Sequence, residues 1–168
     1  NLFALQQADD HAVLNSLDRD SQDLRPRLRA RVHEFSSAGP VRDGGFLRDG
    51  RLFLARAGSA EALLEEKELP IPGRHNVENV LAAAVACREA GAGVGAIRSA
   101  ALAFRALPHR LEKVAELGGV AFYNDSKATN VDAAAKALAS FPGRSVWIIL
   151  GGKDKGGDFA SLAPLLKE

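Results

Sequence analysis

The 168-residue chain has no methionine, one cysteine, one tryptophan and one tyrosine. A lone Cys87 forms no internal disulfide, which fits a reducing compartment, and its place in the run Val80 to Cys87 reads as a small buried apolar residue. No apolar stretch approaches the roughly 20 residues that a bilayer-spanning helix needs, and no basic segment leading into an apolar core opens the chain. Both absences point to a cytoplasmic location. Charge of one sign is also missing: 22 Lys and Arg against 21 Asp and Glu leave a formal +1, so no global field favours nucleic acid or an anionic membrane. Repeats and low-complexity tracts are absent. The lack of Met, with residue 1 entering directly on the apolar Leu2-Phe3-Ala4-Leu5, leads us to expect a piece of a longer protein.

What is present is organised around Tyr123-Asn124-Asp125-Ser126-Lys127-Ala128-Thr129-Asn130. Gly119 to Phe122 before it reads as a buried strand, and Val131 to Phe141 after it is Ala-rich with helical spacing, so the motif is a strand-to-helix turn. Asn130 is the expected N-cap, and a helix start offers free N–H groups to an anion. Asp125 adds an acceptor, Lys127 a cation and Thr129 a hydroxyl, a set suited to a polar, charged ligand. The same residues are also ordinary turn and capping chemistry.

In chain order, Leu2 to Leu5 reads as a short buried strand ending at the acids Asp9 and Asp10, and His11 to Leu17 as one or two helical turns. Asp18 to Arg31 is charged surface. Arg29 to Phe35 alternates as a strand, Phe46 to Leu54 is a β-hairpin about Asp49-Gly50, and Glu61 to Leu69 is favoured as a further strand. A rigid loop, Leu69 to Asn76, leads to a helix from Val77 to about Ala90, with Gly91 as its stop. Asn76 suits a cap. Asn79 is a poor helix former unless it recognises something, such as a ring edge or ribose. His75 reads as a hydrogen-bonded loop histidine or a base. A second helix, Val94 to Phe104, buries Ile97, Ala101 and Phe104.

Pro108 marks a seam. After it come a strand from Leu111 to Leu117, a Gly118-Gly119 turn, a strand from Val120 to Tyr123, the helix, and Val146 to Leu150, apolar on both faces as a central parallel strand should be. Strand, helix, strand in about thirty residues is a βαβ unit. Gly151 to Phe159 then combines glycines with Lys153 and Lys155, and Asp158 caps a helix from Phe159 to Leu166. It lacks the spacing of a P-loop.

Taken together, Ile71 to Ala83 (IPGRHNVENVLAA), Leu107 to Glu112 (LPHRLE), Asn124 to Asn130 (NDSKATN) and Leu150 to Phe159 (LGGKDKGGDF) resemble the Mur ligases, the ATP-dependent peptide-forming enzymes of bacterial cell-wall synthesis. NDSKATN, with Ala8-Asp9-Asp10 and the lysine-bearing glycine loop, resembles the D-glutamate-adding branch. The resemblance implies an α/β fold. Residues 1–107 would be the latter part of a central ATPase domain, with a mixed sheet, a small antiparallel section and two helices. Residues 108–168 would start a Rossmann-like ligase domain. The P-loop and metal ligands of the family would lie upstream, so no metal ligand is assigned in this chain.

By the same resemblance, Asn76 and Asn79 approach the adenine side of ATP, Arg110 contacts ATP from the interdomain hinge, and Asp125 takes ribose hydroxyls. Lys127 and Thr129 serve catalysis and substrate where nucleotide meets incoming amino acid, and Lys155 pairs with a D-glutamate carboxylate. The implied cofactors are ATP and Mg²⁺, and the implied substrates UDP-N-acetylmuramoyl-L-alanine and D-glutamate, joined through an acyl phosphate. The full-length protein would be a monomer without nucleic-acid or membrane-spanning contacts. Another Mur or folylpolyglutamate-type ligase, or a non-catalytic nucleotide-binding module, stays open on these residues.

Overall fold

A computed structural model describes residues 2–105, 107–153 and 156–166, the side chain of residue 2 excepted. The chain divides into two compact units: Asn1–Pro70 with Arg74–Phe104, and Ile71–Gly73 with Arg105–Glu168.

The first unit is built on five strands: β1 (His11–Asn15), β2 (Arg31–Ser36), β3 (Gly44–Arg48), β4 (Arg51–Arg56) and β5 (Ser59–Glu65). They lie in that order in one mixed sheet. β1 and β2 are parallel, as are β2 and β3, while β3–β4 and β4–β5 are antiparallel hairpins. Asp49 and Gly50 turn the first hairpin with φ of 51° and 70°, the left-handed pair that a type I′ turn requires. A short helix α1 (Arg19–Leu24), begun by the Asp18 carboxylate accepting from Ser21 N–H at 2.8 Å, links β1 to β2 without burying any residue.

Helix α2 (Arg74–Glu89) lies across the sheet, followed by α3 (Val94–Ala103). Val77, Leu81, Ala84 and Val85 of α2 pack with Leu47, Leu52, Leu54, Leu63, Leu64 and Ile97 in one buried cluster. Gly45 makes this close approach possible, and its neighbour Gly44 allows an equally close one between strands. A Cβ on Gly45 would stand 3.0 Å from Val85 Cγ2 and 3.3 Å from Leu81 Cδ2. A Cβ on Gly44 would stand 1.7 Å from the Glu34 carbonyl oxygen across the β2–β3 ladder, and its φ is 140°.

In the second unit, β6 (Glu112–Leu117) and β7 (Val120–Asn124) form an antiparallel hairpin with a bulge between Lys113 and Ala115, turned by Gly118 and Gly119 at φ of 57° and 80°. α4 (Val131–Ala139) follows, then a 3₁₀ segment, Phe159–Leu166.

Several expectations are corrected. Leu2–Leu5 is a 3₁₀ turn with Leu5 85% exposed, so Asp9 and Asp10 precede a strand instead of ending one. His11–Asn15 is a strand, because its backbone pairs with β2 over five positions; so short a run has too little periodicity to decide. α2 begins at Arg74, which places Asn76 within its first turn and removes it as the cap. Cys87 is exposed, since it falls on the outer face of α2. Phe104 follows α3 and is 46% exposed. The run before the central motif is a solvent-facing hairpin strand, with Val120 and Phe122 exposed. Residues 146–150 form no strand: Trp147 and Ile149 are fully or nearly fully exposed, and no described strand of the unit lies beside them to pair. The C-terminal helix is 3₁₀ with Pro164 inside it.

Gly44→Ala places a side chain against a carbonyl where φ disfavours one, and Leu81→Ala opens a cavity in the core. We expect the first to lower unfolding free energy by more than ~2 kcal/mol and the second by ~2–5 kcal/mol. Urea denaturation of each variant measures both, and wild-type midpoints would contradict the packing described.

Candidate functional site

Two of the four sequence motifs meet within the second unit. Leu107 to Glu112 folds back as a turn, Arg110 N–H donating to the Leu107 carbonyl at 3.2 Å, and His109 N–H donating to the Glu112 carboxylate at 2.8 Å. His109 and Leu111 adopt φ of 68° and 43°, a left-handed conformation unusual for such side chains. Three contacts then join this turn to the central motif. Lys127 N–H donates to the His109 carbonyl at 3.1 Å, Asn124 Nδ2 lies 2.8 Å from His109 Nδ1, and Leu111 N–H donates to Asp125 Oδ1 at 3.1 Å. Strained backbone held by several bonds is the pattern in which functional sites store conformational energy.

The central motif is itself a tight turn. Ser126 N–H donates to Asn124 Oδ1 at 3.1 Å, and Ala128 N–H donates to the Asp125 carbonyl at 2.8 Å. Asn130 caps α4, its side-chain oxygen accepting from Ala133 N–H at 2.8 Å. The cap leaves the other amides of the first turn open toward an anion. Asp125 is half-buried, and the Leu111 bond engages one of its oxygens, leaving the second for a donor such as a hydroxyl. Arg110, Lys127 and Thr129 are exposed. Among the described residues the ion pairs of this unit are Lys113–Glu116 and Lys136–Asp132, so the cations of Arg110 and Lys127 are uncommitted. Two free cations, a half-buried acceptor and a helix start within one loop pair suit a phosphorylated ligand that also carries hydroxyls.

In the first unit, Asn76 is half-buried and Asn79 exposed on the opening turns of α2. Ser37, buried just past the end of β2, donates to Glu78 at 2.6 Å, so this end of α2 lies at the C-terminal edge of the parallel strands. Ligands of open α/β sheets gather at that edge. Lys155 lies outside the described residues. A shallow concavity on β4, β5 and α3 holds none of these residues; its Arg51 and Arg98 are already paired with Glu65 and Glu68.

A second polar cluster at the far end of α2 was not read from the sequence. His11 Nδ1 lies 2.8 Å from His33 Nε2, His33 Nδ1 lies 3.3 Å from Asp43 Oδ1, and Glu89 Oε2 is 3.7 and 3.8 Å from those two ring nitrogens. Burial pushes the Glu89 carboxyl up, but hydrogen bonds from Arg56 and Arg88 and the nearby Arg56 guanidinium charge outweigh it and hold the group below its ordinary value. The only hint in the sequence is that His11 and His33 each stand in a strand-like run, and spacing alone does not pair them.

Residues 109–168 match the family described as "Mur ligase, glutamate ligase domain". Over 98% of its length the chain is 49% identical to a UDP-N-acetylmuramoylalanine--D-glutamate ligase from Acidobacterium capsulatum, and over 99% it is 52% identical to one from Solibacter usitatus. It spans 36% and 37% of those relatives' lengths. Among solved structures it resembles MurF from Acinetobacter baumannii, with a TM-score of 0.59, 18% identity, and 78% of this chain and 29% of that one covered. A murein peptide ligase from Psychrobacter arcticus gives 0.55 and 15%, with 82% and 29% covered. These two show a shared fold. The chain belongs to the Mur ligase family. Within it, the sequence is similar to part of the ligases that carry the D-glutamate name.

Asp125→Ala leaves the Leu111 N–H without its acceptor, and Asn130→Ala removes the cap of α4. We expect losses of ~1–3 kcal/mol and ~1 kcal/mol respectively, read by thermal or urea unfolding. An Asp125→Ala protein as stable as wild type would mean that the two turns are not joined as described.

Proposed function

We propose that this chain is part of an ATP-dependent ligase that adds D-glutamate to UDP-N-acetylmuramoyl-L-alanine, a step in building the peptidoglycan precursor. The observation that carries the reading is the identity of about half the residues, over nearly the whole chain, with ligases of that name. Residues 1–107 belong in this reading to the central ATP-binding domain and 108–168 to the ligase domain. The substrates are small molecules, and the location is cytoplasmic; among the described residues no helix is long and apolar enough to cross a membrane.

The turns of the second unit fit a nucleotide by their polar groups: an acceptor with one oxygen to spare, two cations without an ion pair among the described residues, and a helix start. In this reading Asp125 accepts from the ribose hydroxyls, and Arg110 lies against the phosphates. Asn79 and Asn76, at the C-terminal strand edge of the first unit, serve the adenine end with their amides. ATP supplies the phosphoryl group that activates the substrate carboxylate as an acyl phosphate. The amine of D-glutamate then displaces phosphate to form the amide. Lys127 stabilises charge on the leaving phosphate, as a positioned cation does best where the charge develops. Thr129, two residues on, offers a hydroxyl to the same groups, and Lys155 pairs with a carboxylate of D-glutamate. Mg²⁺ would be held outside these residues.

Phosphate release by the full-length enzyme, given ATP and UDP-N-acetylmuramoyl-L-alanine, tests the reading. D-glutamate should stimulate it, and L-glutamate, L-lysine and meso-diaminopimelate should not. Lys127→Ala should lower kcat at least ~100-fold with an unchanged circular dichroism spectrum. Stimulation by a different amino acid would move the chain to another branch of the family, and no stimulation by any would overturn the ligase reading.

A further inference from the structure

We propose that His11, His33 and Glu89 form a binding site for a divalent transition-metal ion of the Zn²⁺ class. The three side chains come from three elements. His11 opens β1, His33 stands in β2 opposite Val13, and Glu89 ends α2. Since residues two apart on a strand share a face, His11 and His33 lie on the same face of the parallel pair. α2 packs on that sheet and delivers its last carboxylate to them.

The distances fit one ion. His11 Nδ1 and His33 Nε2 are 2.8 Å apart, and Glu89 Oε2 is 3.7 Å from the first and 3.8 Å from the second. In a tetrahedral site with bonds of roughly 2.0–2.1 Å, donor atoms stand about 3.3 Å apart. The observed separations bracket that value, so shifts of a few tenths of an ångström complete the triangle. All three atoms belong to one group whose members lie within 4.8 Å of each other.

The surroundings are those of a metal-binding histidine. His33 is 6% exposed and turns its other nitrogen to Asp43 Oδ1 at 3.3 Å, the carboxylate–imidazole pairing that fixes a ligand's tautomer and leaves Nε2 bare for an ion. The Glu89 side chain is 7% exposed and is held by Arg56 Nη2 at 3.0 and 2.9 Å and by Arg88 Nε at 3.0 Å. Those bonds fix the carboxylate, and its oxygens retain lone pairs for coordination. His11 is one-third exposed and leaves the fourth position open to water. Without an ion, the short nitrogen–nitrogen contact needs one ring to donate a proton to the other. An ion replaces that proton and binds both lone pairs at once. Two imidazoles and one carboxylate select Zn²⁺, Co²⁺ or Ni²⁺ over Mg²⁺ and Ca²⁺. The ion would clip the start of β1, β2 and the end of α2 together.

Titration of the full-length protein with Co²⁺ at neutral pH, in excess Mg²⁺, tests the site. Wild type should bind one more Co²⁺ than His33→Ala or His11→Gln, with a visible d–d band that both variants lose. Zn²⁺ should raise the wild-type Tm and not that of His11→Gln, because binding to the folded state alone stabilises it. His11→Gln, at the more exposed position, keeps the test valid should His33→Ala fail to fold. Equal stoichiometry in wild type and His11→Gln, or displacement of the band by Mg²⁺, would overturn the proposal.

Discussion

Everything in the first unit depends on how closely α2 approaches the sheet. That approach is set where Gly45 presents no side chain to Leu81 and Val85. Interiors pack as densely as organic crystals, so a methyl group there would press on the Val85 and Leu81 side chains, which would have to give by a few tenths of an ångström. Both ends of α2 carry polar contacts. At one end the Ser37–Glu78 hydrogen bond sets Asn76 and Asn79 at the strand edge; at the other, Glu89 reaches two histidines and two arginines. A single apolar seam therefore positions polar groups at both ends of a 16-residue helix.

The second unit works by polar ties in place of a large core. Its buried apolar residues are few among those described: Ile71, Leu111, Ala134 and Leu162. The turns at 107–112 and 124–130 are fixed by hydrogen bonds through His109, Leu111, Asn124 and Asp125. Each bond is worth only about 1 kcal/mol net, yet losing an acceptor costs more than forming the bond gained. Such a site is specified by the chemistry of a few residues. That is why its sequence motifs are legible without any structure.

Legibility follows the range of the interaction. The Asp49-Gly50 hairpin, the Gly118-Gly119 turn and the Asn130 cap were readable because each is fixed by residues within a few positions of itself. His11–Asn15 was not, because its state is decided by a ladder to residues twenty positions on. Val146 to Leu150 has a parallel strand's composition, but composition does not supply the neighbour whose N–H and C=O groups a strand requires. Cys87 shows the same limit on a helix: an apolar run says that one face is buried, not which residue turns outward.

The candidate site divides along the same line. Asp125, Lys127, Thr129 and Arg110 were found because they sit in two short contiguous motifs. Their joining through His109 was not foreseen, since nothing in LPHRLE marks its backbone carbonyl as the partner of Lys127. The His11–His33–Glu89 group lay further from reach: its members are spread over 79 positions and three elements, and each looks ordinary alone. A parallel β-pair sets two histidines on one face, and the helix that crosses it adds the carboxylate. Only the packing of that helix, close at Gly45, which carries no chemistry of its own, turns three ordinary residues into a cluster.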